Sequence, residues 1–538
     1  MRATPWFRWT LALLLAAGPT TRLSAQGTIA IPAGSYRGTV SFGDRIIPLQ
    51  VRSSGAGEPS IQLAVSFEDT TPRRMWRGPG SDSLLAVLPG GDTLRLAPRV
   101  EGESLRGAAR LGARTGTIAL RRVVSLPLEA IKPRTGEYRL DDGTLFSVWG
   151  ADNAFDGLYF MDFETGRTGT LFSVDSTRFV AGPRRIDSDP ESYTVQFEPG
   201  DRIAIANAEG RRVRGKRTVL SRAVDVTFPT TGDVRLAGTL HLPTTPGPHP
   251  ATITLHGSDW HLRGGGPILT FFLSRGIAVL TWDKRGNGGS GGTLQTVTID
   301  TMAVDAQAAI RWLRARPEID PKRIGVWGIS QGGWPASILA ARDSSLAFVI
   351  LHAGSSLTPA AQGDDEMRVR VLQDGGTQAG VDTLLAYYHH FNDVMRGRAT
   401  RASLDSMYAA LGGRRSRFLW PPSVAESPRA RWVAGINDFD PVPYWSKARV
   451  PVLAFFGEHD GLVAPETNVP VLREAFARSG NRDATIVVLP RANHLFQETS
   501  KRRTSIWLTG SRDLPEYYET MARWLERRLG TPSIKPAP

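Results

Sequence analysis

The stretch RIGVWGISQGGW, residues 323–334, decides how the second half of this 538-residue chain is expected to fold. Its apolar first half predicts a strand, and the Ala-rich segment Ala336 to Arg342 predicts a helix. Ser330 lies at the turn between them, in the pattern Gly-x-Ser-x-Gly completed by Gly328 and Gly332. Such a turn tolerates little bulk beside the serine and projects its hydroxyl outward at the end of a strand. Because the following helix points its N-terminus to where negative charge develops, Ser330 is a candidate nucleophile.

Strands and helices alternate from residue 221 onward. Predicted strands cover residues 224–228, 235–240, 251–255, 277–282, 323–328, 348–351, 451–456 and 484–489. Predicted helices in the same region include residues 267–274 and 301–314. This alternation predicts a mostly parallel sheet with helices on both faces, in which ligands bind beyond the carboxyl ends of the strands.

Two late strands of this region each end close to a polar residue that could complete a catalytic site. Asp460 follows the strand that ends at Phe456, and His494 follows the strand that ends at Leu489. Because both should lie on the same edge as Ser330, we predict that His494 is the general base and that Asp460 orients it. The chain order Ser, Asp, His is the order that α/β-hydrolases use.

Other acids and histidines of the chain are alternatives to this assignment. Glu458 could replace Asp460, but it is still close to the strand end, which favours Asp460. Four other histidines of this region are expected to be structural or exposed: His256, His389, His390 and His459. His352 could fold over the site, but nothing pairs it with an acid. Since no two histidines show metal-ligand spacing with a carboxylate, we expect no metal and no cofactor.

The oxyanion that forms during acyl transfer needs preorganised N–H donors. One predicted donor is the backbone amide of Gln331, immediately after the nucleophile, and the other is the amide of Ser258. Supporting residues are predicted around the site, with roles in shaping its loops rather than in chemistry: His256, Gly257, Asp283, Arg285, Gly328 and Gly332.

The remaining chain divides by pattern. Residues 26–130 and 131–220 predict two β modules, with similar openings at Gly34-Ser35-Tyr36-Arg37 and Gly136-Glu137-Tyr138-Arg139. The hydrolase core is expected at 221–354 and 450–530, and residues 355–449 predict a helical cap or lid over the serine. Within that insertion, the acidic run at 364–366 could hold the amine of a peptide substrate, but it is interpreted as a solvated loop.

The amino-acid composition and the N-terminal sequence limit which binding partners and which cellular compartment are expected. The net charge is +13, but arginine is spread along the chain and no basic helix with interleaved aromatics occurs, so nucleic-acid binding is disfavoured. The chain has no cysteine, which excludes disulfides and thiol nucleophiles. Residues 1–25 have a signal-peptide layout, with arginines, a short apolar run and cleavage expected after Ala25. We therefore expect export to the periplasm or beyond, without stable membrane insertion.

Residues ~221 to ~530 resemble the α/β-hydrolase superfamily. The closest resemblance is to secreted bacterial esterases and to prolyl-oligopeptidase-like or serine-aminopeptidase-like hydrolases. The matching motifs are Leu255-His256-Gly257-Ser258, Asp283-Lys284-Arg285-Gly286-x-Gly288, residues 324–333, Gly457-Glu458-His459-Asp460 and Ala492-Asn493-His494. One departure is Pro335, which removes a backbone donor near the start of the nucleophile helix and is able to kink it.

The sequence therefore predicts an exported serine hydrolase that cleaves carboxylic esters through an acyl-enzyme. The nucleophile turn and the short His-Gly-Ser loop suit a general acyl site, which favours esters. A serine peptidase is the alternative, and a non-catalytic binding protein on a hydrolase scaffold is a third, disfavoured because the triad is complete and correctly ordered. For the N-terminal β modules, the role suggested is a contact with the cell envelope.

Overall fold

The computed structural model describes residues 31–42, 45–55, 59–63, 73–77, 83–88, 92–150, 158–182, 193–207, 209–258, 263–294, 297–373, 375–412, 419–499 and 512–530. The predicted signal peptide lies outside these residues. Three sheets follow one another along the chain: one of nine strands, a closed barrel, and one of eight strands.

The first β region is an antiparallel sheet whose first and last strands pair with each other. Its strands are β1 (Gly34–Phe42), β2 (Arg45–Ser53), β3 (Ser60–Leu63), β4 (Arg73–Arg74), β5 (Trp76–Arg77), β6 (Leu84–Val87), β7 (Thr93–Glu101), β8 (Ser104–Leu111) and β9 (Arg114–Val123). β1 pairs with β2 on one side and with β9 on the other. Alternating apolar residues such as Val40, Leu94 and Leu105 fill one buried cluster.

The second β region is a closed antiparallel barrel, preceded by the short helix α1 (Leu128–Ile131). Its strands are β10 (Gly136–Leu140), β11 (Leu145–Trp149), β12 (Leu158–Asp162), β13 (Thr168–Ser173), β14 (Arg178–Gly182), β15 (Tyr193–Glu198), β16 (Arg202–Asn207) and β17 (Arg212–Thr218). β10 pairs with β17, which closes the barrel. Its interior is packed with side chains such as Phe146, Phe160 and Val195.

The two β regions share more than their opening sequences. β1 and β10 both begin at a glycine with positive φ, Gly34 and Gly136. Tyr36 and Tyr138, two residues later, are both buried, and each donates its hydroxyl to the carbonyl four residues earlier, at 3.2 and 2.9 Å. In both regions the first strand pairs with the last.

The third sheet carries the alternation of strands and helices that the sequence predicts. Its elements are β18 (Ser221–Pro229), β19 (Arg235–Pro243), β20 (His249–Leu255), α2 (Pro267–Leu273), β21 (Ala278–Trp282), α3 (Ile299–Arg314), β22 (Ile319–Ile329), α4 (Gly333–Arg342), β23 (Phe348–His352), α5 (Pro359–Gln373), α6 (Gln378–Met395), α7 (Arg401–Ala410), α8 (Pro428–Ile436), α9 (Val442–Trp445), β24 (Val452–Gly457), α10 (Pro465–Ser479), β25 (Ala484–Leu489) and α11 (Pro515–Leu529).

The strand order of this sheet is β18-β19-β21-β20-β22-β23-β24-β25. β18 and β19 are antiparallel, as is the β19–β21 pair, while all pairs from β21 to β25 are parallel. Because parallel strands end on one edge, the segments that follow β20, β22, β23, β24 and β25 meet there. This is the sheet of the predicted α/β-hydrolase fold.

Successive residues of the central strands face opposite layers of helices, as a pleated strand requires. Val326 belongs to a buried cluster with residues of α3, α4 and α10. Its neighbour Trp327 belongs to a second cluster, with residues of α2 and α11. The sheet is therefore buried on both faces, which agrees with its nearly continuous apolar strands.

Helices α5 to α8 lie between β23 and β24 and have an apolar cluster of their own, which includes Val381, Tyr387 and Phe391. Ile436 at the end of α8 packs in one cluster with Trp334 of α4, which joins these helices to the helix behind Ser330. The acidic run at 364–366 lies within α5, so its interpretation as a loop is wrong. The pairing of Glu366 with Arg370, four residues on, is the kind of contact that supports a helix.

The barrel packs against helices α2 and α11, which cover one face of the third sheet. Met161 of β12 is fully buried in the cluster that contains α2 and α11. The ring of Phe163 meets Tyr518 edge-on with centroids 5.6 Å apart, and Asp513 donates its backbone N–H to the carbonyl of Gly166 at 2.7 Å. An apolar contact reinforced by backbone bonding predicts that the barrel and the hydrolase core unfold together.

A buried carboxyl lies in this interface. Glu137 accepts hydrogen bonds from the hydroxyls of Ser147, on β11, and of Thr270, on α2 at 2.8 Å. Ser147 also lies 3.2 Å from the Thr270 hydroxyl, so the three groups form a closed ring. Burial raises the pKa of Glu137, and the two hydroxyl hydrogen bonds only partly oppose that effect.

We expect Glu137→Gln to become more stable relative to the wild type as the pH rises from about 4 to about 8. Because the folded pKa is raised, the stability contributed by Glu137 is complete below its ordinary pKa and is lost as the pH rises through the folded pKa. Urea denaturation at both pH values measures the difference. The exposed Glu129→Gln should show no such trend, and a difference for Glu137→Gln that does not change with pH would contradict the assignment.

Candidate active site

The turn that carries Ser330 is held by close backbone contacts. Ser330 has a φ of 52°, a left-handed conformation that costs free energy in a non-glycine residue. A Cβ on Gly332 would lie 2.5 Å from the Leu255 carbonyl oxygen of β20, and one on Gly328 would lie 2.9 Å from the Gly332 carbonyl oxygen. Both positions therefore require glycine, and the strained serine is partly exposed at the strand end.

The helix that follows starts at once. Residues 330–332 form a 3₁₀ turn, and α4 begins at Gly333. Pro335 falls in the first turn of α4, where its missing N–H would have had no intrahelical acceptor. It therefore does not interrupt the backbone hydrogen bonds of the helix.

His494 and Asp460 are joined by a buried hydrogen bond. His494 Nδ1 lies 2.8 Å from Asp460 Oδ2, and the two side chains are 4% and 0% exposed. The other carboxylate oxygen, Oδ1, accepts the backbone N–H groups of Leu462 at 2.8 Å and Val463 at 2.9 Å. Since the carboxylate is held by these donors, Nδ1 carries the proton of its bond to Asp460 and Nε2 is left to accept another.

The pairing of neighbouring strands brings these residues to one edge. In the parallel register, Ile329 lies beside His352, and His352 lies beside Phe455. His352 Nε2 is 3.2 Å from the backbone carbonyl oxygen of His494. Ile329, the residue before Ser330, therefore pairs with His352, whose side chain contacts the backbone of His494.

His352 belongs to a chain of buried hydrogen bonds. Trp327 Nε1 donates to the Tyr517 hydroxyl at 3.0 Å, which lies 3.1 Å from His352 Nδ1. Because the hydroxyl has one proton, it donates to Nδ1, and the Nε2–H of His352 is then the donor to the His494 carbonyl. Desolvation holds the pKa of His352 well below its ordinary value, which keeps the ring in this neutral form.

The loop after β21 supports the other side of the site. Asp283 accepts backbone N–H groups from Arg263 at 2.8 Å and Gly289 at 2.9 Å. Arg285 forms a two-point contact with the buried Asp305, at 3.0 and 2.5 Å. Between them, Lys284 Nζ donates to the Gly257 carbonyl at 2.5 Å and to Gln331 Oε1 at 2.9 Å.

The sequence model of the X-Pro dipeptidyl-peptidase family, S15, matches residues 202–494, which is more than half of the 538 residues. The chain belongs to the S15 family. This is a family of serine hydrolases in the α/β-hydrolase clan, so the predicted superfamily is confirmed, and the predicted enzyme class agrees with it.

Individual relatives match over shorter stretches. The chain is 36% identical over 132 residues to the quorum-quenching protein AidA of Acinetobacter baumannii, covering 24% of this chain and 42% of that protein. It is 34% identical over 128 residues to thiohydrolase aneE of Aspergillus aculeatus, covering 23% of this chain and 40% of that protein. The match thus spans less than half the length of these curated relatives.

Two solved structures are similar to this chain over most of their own length. The esterase Pf2001 of Pyrococcus furiosus has a TM-score of 0.37 and 20% identity, with 58% of this chain and 92% of that chain covered. The α/β hydrolase GrgF of Penicillium has a TM-score of 0.38 and 18% identity, with 57% and 99% covered.

The other candidate residues of this S15 protein have partners away from the His494–Asp460 pair. Glu458 is half exposed and accepts the backbone N–H of Arg491 at 2.7 Å. His459 Nδ1 contacts the Thr499 carbonyl at 2.8 Å, and the ring of His256 meets Trp282 edge-on with centroids 5.5 Å apart. In the helices between β23 and β24, His389 pairs with Asp364 and His390 with Ser403. Across the described ranges, no group of three His, Asp or Glu residues is arranged to hold a metal ion.

Three residues with close contacts to the site were missed by sequence reasoning: Lys284, His352 and Tyr517. Lys284 lies within the motif Asp283-Lys284-Arg285-Gly286-x-Gly288, and its position next to Asp283 is the one sequence feature that could have identified it. His352 was noted after its strand but set aside for want of an acid. Tyr517 comes from α11, and nothing in the sequence links it to Trp327 or His352.

We expect Tyr517→Phe to lower the free energy of unfolding by about 1–3 kcal/mol, because it leaves the buried Trp327 N–H and His352 Nδ1 without their partner. Urea denaturation followed by tryptophan fluorescence measures the loss. Tyr518→Phe, at the next position, removes a hydroxyl that contacts Asp513 and leaves the Trp327–His352 chain intact. The ring NMR signals of His494 report whether the ring has moved in each variant. Equal changes of these signals in Tyr517→Phe and Tyr518→Phe would contradict a link from Tyr517 to His494 through His352.

Proposed function

We propose that this S15 protein is an exported serine hydrolase that cleaves carboxylic esters through an acyl-enzyme. The observation that carries the proposal is the buried His494–Asp460 hydrogen bond on the same sheet edge as the strained Ser330 turn. Strain at a serine between a strand and a helix is typical of a nucleophile that must project from the end of a sheet.

In the proposed reaction, Ser330 Oγ attacks the acyl carbonyl carbon, and its proton passes to His494 Nε2. Asp460 holds the imidazole in the required tautomer and stabilises the imidazolium. His494 then protonates the leaving alcohol oxygen, which releases the alcohol and leaves an ester of Ser330. Water, deprotonated by His494, attacks that ester, and Ser330 leaves with its proton restored.

Two backbone N–H groups are proposed to stabilise the oxyanion in both steps. They belong to Gln331, directly after the nucleophile, and to Ser258, after β20. The support is proximity of the two loops: a Cβ on Gly257 would lie 3.7 Å from Ser330 Cβ. α4 begins three residues after Ser330, and its N-terminal dipole favours negative charge at the same place.

Helices α5 to α8 are proposed to act as a cap that shapes the acyl site. They follow β23, whose carboxyl end lies at the edge of the proposed site, and they precede β24, which runs parallel to β23 and ends at the same edge. Trp420, between α7 and α8, is half exposed and meets Tyr388 edge-on with ring centroids 5.7 Å apart, and its ring offers an aromatic surface to an apolar acyl group.

Peptide hydrolysis is the second candidate, and the family match favours it. An aminopeptidase site needs a carboxylate free to hold the substrate ammonium. Of the acidic run in α5, Asp364 is engaged by His389 and Glu366 by Arg370, at 2.9 and 2.7 Å. Two of the three carboxylates are therefore already paired, which favours esters, and Asp365 is the remaining anchor.

We expect Ser330→Ala, His494→Gln and Asp460→Asn each to reduce kcat on p-nitrophenyl esters by about 10³-fold or more. All three act on one proton transfer, so a Ser330→Ala/His494→Gln double variant should lose no more than the single variants. Steady-state kinetics over acyl chains of several lengths, with thermal unfolding as a check on folding, measure this. Ester turnover that survives Ser330→Ala would refute the assignment.

The same panel separates esters from peptides. X-Pro-p-nitroanilides with a free amine should be poor substrates beside the esters, and Asp365→Asn should leave ester kcat/KM within about two-fold. The reverse pattern, with anilide turnover that requires the amine and is lost in Asp365→Asn, would move the protein to the peptidases. Asp382→Asn, on the neighbouring helix α6, is the matched control.

A further inference from the structure

Lys284 is a buried cation that the reaction described above does not use. It follows β21 by two residues, and only 8% of it is exposed. Its ammonium donates to the Gly257 carbonyl oxygen at 2.5 Å and to Gln331 Oε1 at 2.9 Å. The two acceptors lie 27 and 47 positions from Lys284 in sequence, so one side chain joins the loop after β20 to the residue after the nucleophile.

The Gly257 carbonyl has a particular significance. It belongs to the same peptide unit as the N–H of Ser258, one of the two proposed oxyanion donors. Among the described residues the only cis peptide bond is Gly247–Pro248, so the Gly257–Ser258 unit is trans and its C=O and N–H point in opposite directions. A donor that fixes the carbonyl on one side therefore fixes the direction of the N–H on the other.

The contact with Gln331 acts on the second donor. Gln331 is 4% exposed, and its side-chain oxygen is bound by the ammonium while its backbone N–H is the other proposed oxyanion donor. One ammonium thus restrains both residues that supply the hole. Hydrogen bonding of a charged donor to a peptide carbonyl also polarises that peptide, which strengthens its N–H as a donor.

We propose that Lys284 is a positioning residue that holds both halves of the oxyanion hole and places a fixed positive charge behind it. The inference rests on the proposed function, because it presupposes an oxyanion at Ser330. Charge fixed in a buried site stabilises developing negative charge more than the same charge in water, and needs no reorganisation during the reaction. Lys284 should therefore affect the transition states of acylation and deacylation and have little effect on substrate binding.

The test is Lys284→Met, an unbranched side chain of similar length without charge or donor. We expect kcat on the best ester to fall about 10- to 100-fold, with KM within about two-fold, somewhat less than the loss of an oxyanion donor itself. Lys322→Met, at an exposed position near the start of β22, should keep the wild-type kcat. A Lys284→Met enzyme with kcat within two-fold of the wild type overturns the inference.

The chain has no cysteine, which makes a restoring experiment possible. In Lys284→Cys, the single thiol can be alkylated with 2-bromoethylamine in urea, which forms a lysine analogue with sulfur in the chain, and the protein refolded beside wild type treated identically. We expect aminoethylation to restore most of the lost kcat, whereas alkylation with bromoethane, which adds a neutral chain, should not. Equal recovery with both reagents would show that only bulk matters and would overturn the inference.

Two further outcomes are distinguishable. If circular dichroism shows that Lys284→Met does not fold, Gln331→Met is the second variant, because it removes one acceptor and retains the lysine. A drop in kcat of about five-fold supports the inference, and an unchanged kcat overturns it. A wild-type enzyme without Ser330-dependent turnover refutes the proposed function and this inference together, while normal wild-type turnover with an indifferent Lys284 refutes this inference alone.

Discussion

The hydrogen bond between Asp460 and His494 is the interaction on which the sheet edge depends. A carboxylate with no exposed surface is costly unless its oxygens are bound, and here one oxygen takes two backbone N–H groups and the other takes the imidazole. The loops after β24 and β25 are therefore locked to each other through one acid. The carbonyl of His494 is in turn held by His352, so the base is restrained at both its ring and its backbone.

The rigid sheet and helices beneath this edge make such restraint possible. The parallel strands are buried on both faces, and Gly332 lets the turn after β22 approach Leu255 of β20 more closely than a Cβ would allow. Helix α11 closes one face and sends Tyr517 to the Trp327–His352 chain, while the barrel packs on that same helix through Phe163 and Tyr518. The N-terminal β region next to the hydrolase is therefore part of the support of the site's helical layer.

Much of this could be predicted from sequence, because the decisive signals are local. The Gly-x-Ser-x-Gly turn, the alternation of strands and helices, and an acid and a histidine after successive strands each occupy a few residues, and parallel strands bring their ends to one edge. The acidic run in α5 was wrongly placed in a loop, since its charges outweighed the helix-forming neighbours and the pairing of Glu366 with Arg370. Lys284, His352 and Tyr517 could not be assigned, because their contacts join residues separated by 27 to 190 positions.

The most direct test of the account is whether Ser330 is the activated nucleophile of the folded protein. The full chain would be treated with a fluorophosphonate, which phosphonylates serines made nucleophilic by a base, and the labelled peptide identified by mass spectrometry. The account predicts a single label on Ser330, lost on unfolding in urea and strongly slowed in His494→Gln. A folded protein that remains unlabelled at Ser330, or is labelled at another serine with Ser330 untouched, would contradict it.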